Sequence, residues 1–295
     1  MNKISKILAA NRSEIAIRIF RAAEESGIKT AAIYSKEDRF AIHRFKTDES
    51  YLVGEGKGPI QAYLDIDSII KIAKDAKVDA IHPGYGFLSE SPELAEQCEK
   101  NNITFIGPSK EILKRFGNKT EAKKVAEQAK VNTIPSVLVT KDKNKTIQKE
   151  VDAIGYPVIV KASWGGGGRG MRVVHSSKDL IDQITTAQSE SLKAFGKDEV
   201  FIEKFLEDAA HIEVQILGDK HGNIIHLYER DCSLQRRHQK IIERAPAHFL
   251  KEETRKNICN AAIKIAKEVN YFGAGTVEFL FDKKSGEFYF IEVNP

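Results

Sequence analysis

Tyr156-Pro-Val-Ile-Val-Lys-Ala-Ser-Trp-Gly-Gly-Gly-Gly-Arg-Gly-Met-Arg-Val-Val-His175 places a run of glycines between two segments rich in β-branched residues. The flanking segments predict two strands, so the glycines predict the tip of a hairpin. Glycine backbone adopts positive φ readily and lets N–H groups approach a ligand closely. Because Lys161 and Arg169 add positive charge, the hairpin tip predicts a loop that covers a phosphate.

Two familiar nucleotide motifs do not fit this run. The dinucleotide pattern G-x-G-x-x-G requires a helix after it, whereas a strand follows here, and the P-loop requires a Lys-Ser or Lys-Thr pair at its end. A flexible linker is the remaining alternative for a glycine run. The strands on both sides and the embedded Arg169 argue against a linker.

The composition is that of a globular protein with buried cores. The chain has 295 residues, 41% of them hydrophobic, which allows about two domains. The net charge of +4 comes from 46 basic and 42 acidic side chains, so a nucleic-acid partner is not indicated. The three cysteines lack metal or redox spacing and predict reduced thiols. Without a signal-peptide pattern or a membrane-length apolar run, we expect a soluble, cytoplasmic protein and no membrane partner.

The first part of the chain predicts an open α/β sheet. Residues 4–10 and 30–34 predict strands, residues 13–26 predict the helix between them, and Gly27 is its left-handed stop. The first turn lacks the glycines that a dinucleotide requires, so NAD is not expected. Further helices at 67–77 and from Ser91, and strands at 80–82 and 104–107, complete a domain at 1–113. The loop at 82–91 follows a strand and is a candidate site, although its glycines and proline also suit a simple turn.

A helix start at Asn118 opens the next part, because Glu121 follows it three residues later. Lys119 then lies in the first turn, where the helix dipole disfavours a cation unless an anion is bound. It is therefore a phosphate-site candidate, with a solvated lysine as the alternative. A helix at 118–130 predicts a helical connector at 114–138, which leads into a strand at 137–139. A helix at 144–154 and the glycine hairpin form a small α+β unit at 139–205.

Residues 206–295 predict a mainly β subdomain with an amphipathic helix at 253–269. In the strand His211-Ile-Glu-Val-Gln-Ile-Leu217, the apolar side chains share one face and the polar side chains share the other. Two readings of the polar face remain open. It is either an ordinary solvated face or the lining of a cleft beneath the glycine hairpin.

The last two strands carry an unusual pair of carboxylates. If Asp282 pairs with Phe288 across the loop, Glu278 lies opposite Glu292. Like charges in this position destabilise a sheet, so the pairing suggests a bound cation. Together with the amide oxygen of Asn294, the two carboxylates suit Mg²⁺ shared with substrate phosphates. A register slip of one residue would separate the glutamates, and this alternative stays open.

Five motifs resemble the ATP-grasp superfamily and, within it, the biotin carboxylase domain of biotin-dependent carboxylases. They are, in order, Ala10-Asn-Arg-Ser-Glu-Ile-Ala, His82-Pro-Gly-Tyr-Gly-Phe-Leu-Ser-Glu, Lys161-Ala-Ser-Trp-Gly-Gly-Gly-Gly-Arg-Gly-Met-Arg, Glu229-Arg-Asp-Cys-Ser-Leu-Gln-Arg-Arg-His-Gln-Lys and Phe290-Ile-Glu-Val-Asn-Pro. Details such as His43-Arg-Phe-Lys-Thr-Asp-Glu-Ser are most similar to the amino-terminal part of bacterial pyruvate carboxylases. The implied fold is a Rossmann-like sheet followed by an ATP-grasp fold with a glycine-rich lid.

The resemblance implies that MgATP (or MnATP) phosphorylates bicarbonate to carboxyphosphate, which then carboxylates biotin on a carrier domain. In pyruvate carboxylases this is the first half-reaction, and a carboxyltransferase domain completes the conversion of pyruvate to oxaloacetate in a homo-oligomer. The implied phosphate contacts are Lys119, Lys161, Gly167 and Gly168. The implied adenine and ribose contacts are Glu203, Lys204, Leu206, His211, Gln235 and His238. Lys240 would meet bicarbonate, Tyr85 would face biotin, and Glu278, Glu292 and Asn294 would hold the metal.

Three other functions remain possible for this sequence. They are the biotin carboxylase of an acyl-CoA carboxylase, an ATP-grasp ligase with a carbamoyl-phosphate or amino-acid substrate, and a non-catalytic ATP-binding module. In the family, residues after Asn-Pro supply more of the bicarbonate and biotin site, and this sequence stops at Pro295. We therefore expect a truncated ATP-grasp fold with little or no turnover, which substantial carboxylation by residues 1–295 would refute.

Overall fold

The computed structural model describes residues 3–139, 146–163, 171–236 and 239–295. The chain forms two compact units, Met1–Lys114 with Pro295 and Arg115–Asn294. One parallel sheet lies in the first unit and two antiparallel sheets lie in the second. The mixed α/β and α+β class predicted from the sequence is thus confirmed. Within the described ranges, no helix is both long enough and apolar enough to cross a bilayer.

The first unit is built on five parallel strands with helices between them. The strands are β1 Lys6–Ala9, β2 Lys29–Tyr34, β3 Glu49–Leu52, β4 Ala80–His82 and β5 Thr104–Phe105. The helices are α1 Ser13–Glu25, α2 Pro59–Tyr63, α3 Ile66–Asp75, α4 Pro92–Lys100 and α5 Lys110–Phe116. The strand order is β3-β2-β1-β4-β5, as in a Rossmann-like sheet. Leu8 and Ile7 enter different hydrophobic clusters, so both faces of the sheet are covered.

Most sequence predictions for this unit are confirmed. Gly27 ends α1 with φ of +69°, and the Ser91 hydroxyl caps α4 by accepting from the Leu94 N–H at 3.1 Å. The predicted strand at 104–107 is shorter than expected, since only Thr104 and Phe105 pair with β4. The predicted helix at 67–77 is shifted, because the Asp65 side chain caps α3 and the helix starts at Ile66.

The second unit begins with α6 Lys119–Gln128 and a four-stranded antiparallel sheet. The strands are β6 Ser136–Leu138, β7 Val158–Ala162, β8 Arg172–Val174 and β9 Val200–Lys204, in the order β6-β9-β7-β8. The helices α7 Ile147–Ile154 and α8 Leu180–Phe195 share a hydrophobic cluster with them. Val158 pairs with Val174, which confirms the predicted hairpin. Its glycine tip lies outside the described residues. Helix α8 was not predicted.

The remaining sheet has five antiparallel strands. They are β10 Ala209–Gly218, β11 Ile224–Arg236, β12 Gln239–Arg244, β13 Gly273–Asp282 and β14 Phe288–Asn294, in the order β12-β11-β10-β13-β14. The predicted amphipathic helix is α9 Glu252–Glu268. It buries Ile258, Ala262 and Ile265 and packs against β10 and β11. The opposite face of this sheet is therefore free to carry polar side chains.

The loop after β4 is held by one buried amide. The Asn11 side chain, only 3% exposed, donates to the carbonyls of Pro83 and Tyr85 at 2.7 and 2.8 Å. Gly84 sits between these carbonyls with φ of +69°, and a Cβ placed on it would lie 2.7 Å from Asn11 Nδ2. The loop thus depends on a glycine at 84 for both backbone conformation and space.

We predict that Gly84→Ala destabilises the protein more than Gly86→Ala. Both glycines have positive φ, so both substitutions carry a backbone cost of about 1–2 kcal/mol. Only the Cβ at 84 meets another atom within 4 Å, and displacing Asn11 would add about 1–3 kcal/mol by leaving two carbonyls unsatisfied. Urea denaturation of both variants measures the difference. Equal losses of stability would contradict the role assigned to Asn11.

Candidate functional site

A cleft of about 580 Å³ lies within the second unit, a size typical of small-molecule sites. Both antiparallel sheets and α6 contribute to it. Its polar lining includes Lys119, Lys161, Lys204, His211, Gln235, Gln239, Lys240, Glu278, Glu292 and Asn294, and its apolar lining includes Ile159, Met171, Leu206 and Ile291. The structure therefore brings together most of the site residues that the sequence predicted.

The carboxylates of the last hairpin face each other, as predicted. Glu278 pairs with Glu292 across β13 and β14. The assumed starting pair was wrong, because Phe281 and not Asp282 pairs with Phe288. A β-bulge between Glu278 and Phe279 shifts the register by one residue and restores the glutamate pair.

Glu278 is buried, and three side chains contact its carboxylate. His211 Nε2 lies 2.5 Å from Oε2, and Lys240 Nζ and Asn294 Nδ2 each lie 2.6 Å from Oε1. Burial alone would raise the pKa of Glu278. The hydrogen bonds from His211 and Lys240, together with the positive charge of Lys240, outweigh burial and lower that pKa to about 2. Glu278 is therefore an ionised carboxylate at neutral pH.

The polar face of β10 is not an ordinary solvated face, because His211 lines the cleft and Glu213 is buried beside it. Glu213 is 5% exposed and pairs with Glu278 across β10 and β13. Arg230 and Lys240 both contact its carboxylate. Burial would lower the pKa of Lys240, but the hydrogen bonds that Lys240 donates to Glu213 and Glu278 outweigh burial and raise that pKa above its ordinary value. Lys240 is thus a cation held between two carboxylates.

His211 is oriented by a neighbour on β11. Gln235 Nε2 lies 3.0 Å from His211 Nδ1 and 2.9 Å from the Cys232 carbonyl oxygen. Because the Gln235 amide donates to Nδ1, the ring proton is on Nε2, where it faces Glu278. The predicted residues His211 and Gln235 therefore support the charge on Glu278 from one side of the cleft.

A second charged cluster surrounds Glu203 on β9. Lys161 Nζ lies 2.6 Å from Glu203 Oε2, and Lys123 contacts the other oxygen. Lys123 was not among the residues predicted from the sequence. The signal that would have found it is its spacing, since Lys119 and Lys123 are four residues apart on α6 and share a face.

The other predicted residues have varied surroundings. Lys119 Nζ lies 3.6 Å from Glu292 Oε2 at the start of α6, where Asn118 caps the helix by accepting from Thr120 and Glu121. The ammonium group of Lys204 donates hydrogen bonds to two backbone carbonyls, and Lys204 and Leu206 both line the cleft at the end of β9. Gly167, Gly168 and His238 lie outside the described residues.

Tyr85 lies in the first unit and is exposed. Its hydroxyl group contacts Glu14, and its backbone carbonyl accepts from Asn11. The loop that carries Tyr85 is therefore fixed at its base, while the ring remains accessible.

The oxygens of Glu278, Glu292 and Asn294 fit a hard divalent cation. Two carboxylates that face each other across a hairpin, with an amide beside them, are ligands of the type that Mg²⁺ prefers. In the structure, Lys119 partly compensates the negative charge of Glu292, and Lys240 partly compensates that of Glu278. The donor set is thus consistent with the metal that the sequence predicted.

A different group of ligands does not suit a metal. Glu213, Cys232 and Glu243 converge among the described residues. Arg230 contacts Glu213, and its Nε lies 3.7 Å from Glu243 Oε2. Burial raises the pKa of the Cys232 thiol to about 12, so the thiol stays protonated. This group is an ion-pair cluster.

Two family models match the chain. Residues 3–113 match the biotin carboxylase N-terminal domain, and residues 118–295 match the ATP binding domain of the carbamoyl-phosphate synthase L chain. The pyruvate carboxylase of Bacillus subtilis is 57% identical over 292 residues, covering 99% of this chain and 25% of that protein. The human mitochondrial pyruvate carboxylase is 53% identical over 291 residues, covering 99% of this chain and 25% of that protein. The chain thus spans about a quarter of these relatives.

Solved structures agree with this fold. The biotin carboxylase of Campylobacter jejuni in complex with β,γ-ATP is 47% identical with a TM-score of 0.93, covering 99% of this chain and 65% of that one. The biotin carboxylase domain of Hydrogenobacter thermophilus 2-oxoglutarate carboxylase, with MgADP, ADP and bicarbonate, is 44% identical with a TM-score of 0.93. It covers 100% of this chain and 64% of that one.

The charge on Glu278 gives a prediction for acid unfolding. A carboxyl group with a lowered pKa in the folded state stabilises the fold above its ordinary pKa of 4.5, and this contribution is lost as the pH falls towards about 2. Lys240→Met removes one cation, so the pKa of Glu278 should rise and acid unfolding should start at a higher pH. Circular dichroism during acid titration in EDTA measures the midpoint. Lys256→Met, at an exposed position of α9, is the control, and equal midpoints in both variants would contradict this assignment.

Proposed function

Because the chain belongs to the biotin carboxylase type of ATP-grasp proteins, with a biotin carboxylase N-terminal domain before a carbamoyl-phosphate synthase-type ATP-binding domain, we propose that it carries out the ATP-dependent carboxylation of biotin by bicarbonate. The observation that carries the proposal is the cleft in which Lys240 lies between Glu213 and Glu278. We propose pyruvate as the final acceptor in the complete protein, since the relatives with 57% and 53% identity are pyruvate carboxylases.

The phosphates of ATP lie beside Lys119 and Lys161 in this proposal. Both lysines line the cleft, and Lys119 is at the positive end of α6, where an anion is favoured. Gly167 and Gly168 are proposed to cover the phosphates. Phosphoryl transfer needs charge neutralisation and positioning more than covalent chemistry, and these residues supply both.

Adenine and ribose are proposed to bind at the end of β9. The N–H groups of Lys204 and Phe205 already donate to the Pro135 and Pro157 carbonyls, at 3.0 and 3.1 Å. We therefore propose that the backbone at Leu206, just after the end of β9, contacts adenine. Further contacts are proposed to come from the backbone of Glu203 and Lys204 on the same segment and from the side chains of His211, Gln235 and His238.

Glu278, Glu292 and Asn294 are proposed to hold Mg²⁺, with Mn²⁺ as a substitute. The bound ion would neutralise charge on the phosphate oxygens. Glu278 is suited to this role because it stays ionised across the physiological pH range, and Glu292 faces it across the hairpin. Their catalytic contribution is to fix the phosphates relative to Lys240.

Lys240 is proposed to bind bicarbonate. Its raised pKa keeps the ammonium group charged at neutral pH, so it attracts an anion and does not act as a general base. Its contacts with Glu213 and Glu278 hold it at the floor of the cleft. Lys240 thus positions bicarbonate for attack on the terminal phosphorus of ATP.

Biotin is proposed to approach Tyr85, carried by a biotin carboxyl carrier domain. For the complete protein, we also propose a carboxyltransferase domain, a homo-oligomeric assembly and a cytoplasmic location. These follow from the resemblance to pyruvate carboxylases, of which this chain spans about a quarter.

Phosphate release from MgATP tests the function in the full-length protein. We expect release to depend on both bicarbonate and free biotin. Lys240→Ala should abolish the dependence on bicarbonate and retain ADP binding, because Lys240 contacts the anion and not the nucleotide. Lys256→Ala is the control and should behave as the wild type. Phosphate release by the wild type that does not depend on bicarbonate or biotin would contradict the proposal. Unchanged bicarbonate kinetics in Lys240→Ala would contradict it as well.

A further inference from the structure

We propose that Lys123 is a positioning residue of the nucleotide site, and that it sets the positive charge that Lys161 presents to the phosphates of ATP. This inference rests on the proposed function, because it places phosphates beside Lys161. Lys123 does not line the cleft, so it acts through Glu203 and Lys161.

Three side chains from three elements meet at Glu203. Lys161 on β7 and Glu203 on β9 belong to neighbouring antiparallel strands, and Glu203 pairs with Ile159, two residues before Lys161. Their side chains therefore lie diagonally on one face of the sheet. Lys123 reaches the same carboxylate from α6. Each carboxylate oxygen of Glu203 thus contacts one ammonium group.

Lys123 is fully engaged within the protein. Besides Glu203, its Nζ donates to the Ser136 hydroxyl at 3.0 Å and to the Ile134 carbonyl at 3.2 Å. It also lies 5.4 Å from the centroid of the Phe201 ring. An ammonium group has three hydrogens, and these three acceptors use them all. Lys123 is therefore held in place, whereas Lys161 is the lysine of this pair that faces the cleft.

The charges in this cluster do not cancel. Burial would raise the pKa of Glu203, but the two lysines outweigh it and lower that pKa, so the carboxylate is ionised. Two ammonium groups and one carboxylate leave one excess positive charge. Without the charge of Lys123, Glu203 would neutralise Lys161 alone, and the cluster would present no net charge to a phosphate. Lys123 therefore offsets Glu203 and leaves the charge of Lys161 available.

The test compares ATP with adenosine, which lacks the phosphates. In Lys123→Met, we expect ATP affinity measured by calorimetry to fall about tenfold, from the loss of one unit charge close to the phosphates. Adenosine affinity should stay unchanged, and Lys123→Arg should restore ATP affinity. Lys124→Met is the matched control, since Lys124 is the next residue of α6 and its ion pair among the described residues is an exposed one with Glu121.

A double variant separates the charge effect from a structural one. Lys123→Met combined with Glu203→Gln removes both charges and leaves Lys161 as a free cation, so ATP affinity should recover. Equal losses for ATP and adenosine, or a double variant that binds ATP as weakly as Lys123→Met, would overturn the inference and make Lys123 a packing residue. Wild-type protein that fails to bind ATP would instead contradict the proposed function.

Discussion

Three carboxylates stand in one row across neighbouring strands of the second unit, and the site is organised around their charge. Glu213 pairs with Glu278, and Glu278 pairs with Glu292. Like charges opposite each other destabilise a sheet, and burial of Glu213 and Glu278 increases the cost. Cations offset this repulsion: Arg230 and Lys240 contact Glu213, Lys240 also contacts Glu278, and Lys119 lies near Glu292. A sheet that served only stability would not need this row.

The distribution of charged side chains suits different parts of the site to different ligands. Lys240 is permanently charged because two carboxylates hold it, which suits anion binding. Glu278 is ionised at neutral pH because Lys240 and His211 both donate hydrogen bonds to it, which suits a metal. At Glu203 the balance is reversed, with two lysines to one carboxylate, and this cluster suits phosphates. The second unit therefore has one cluster with an excess of carboxylates and one with an excess of lysines, and the proposed metal–nucleotide complex carries charges complementary to both.

Much of the fold could be predicted because local signals were strong. The β-branched runs and the capping residues Asn118 and Ser91 identified elements that the structure contains. Helix α8 was missed, although its buried Leu180, Ile184 and Ala187 follow a helical spacing, because β-branched threonines at 185 and 186 weaken the helix signal.

The sequence predicted most residues of the site, but it did not predict the strand register or the side-chain contacts that join them. The glutamate pair was reached from a wrong register, and the bulge that restores it depends on packing in the folded sheet. The role of Lys123 depends on α6 approaching β9, a long-range contact that sequence spacing does not encode. The polar face of β10 was ambiguous for the same reason.

Anomalous diffraction from crystals of the protein with Mn²⁺ and ATP tests the central claim most directly. We expect an anomalous peak between Glu278 and Glu292, within about 2.5 Å of an oxygen from each, with the phosphates beside Lys119 and Lys161. A nucleotide bound with its metal away from both glutamates, while Glu278 keeps its contacts with His211 and Lys240, would contradict it.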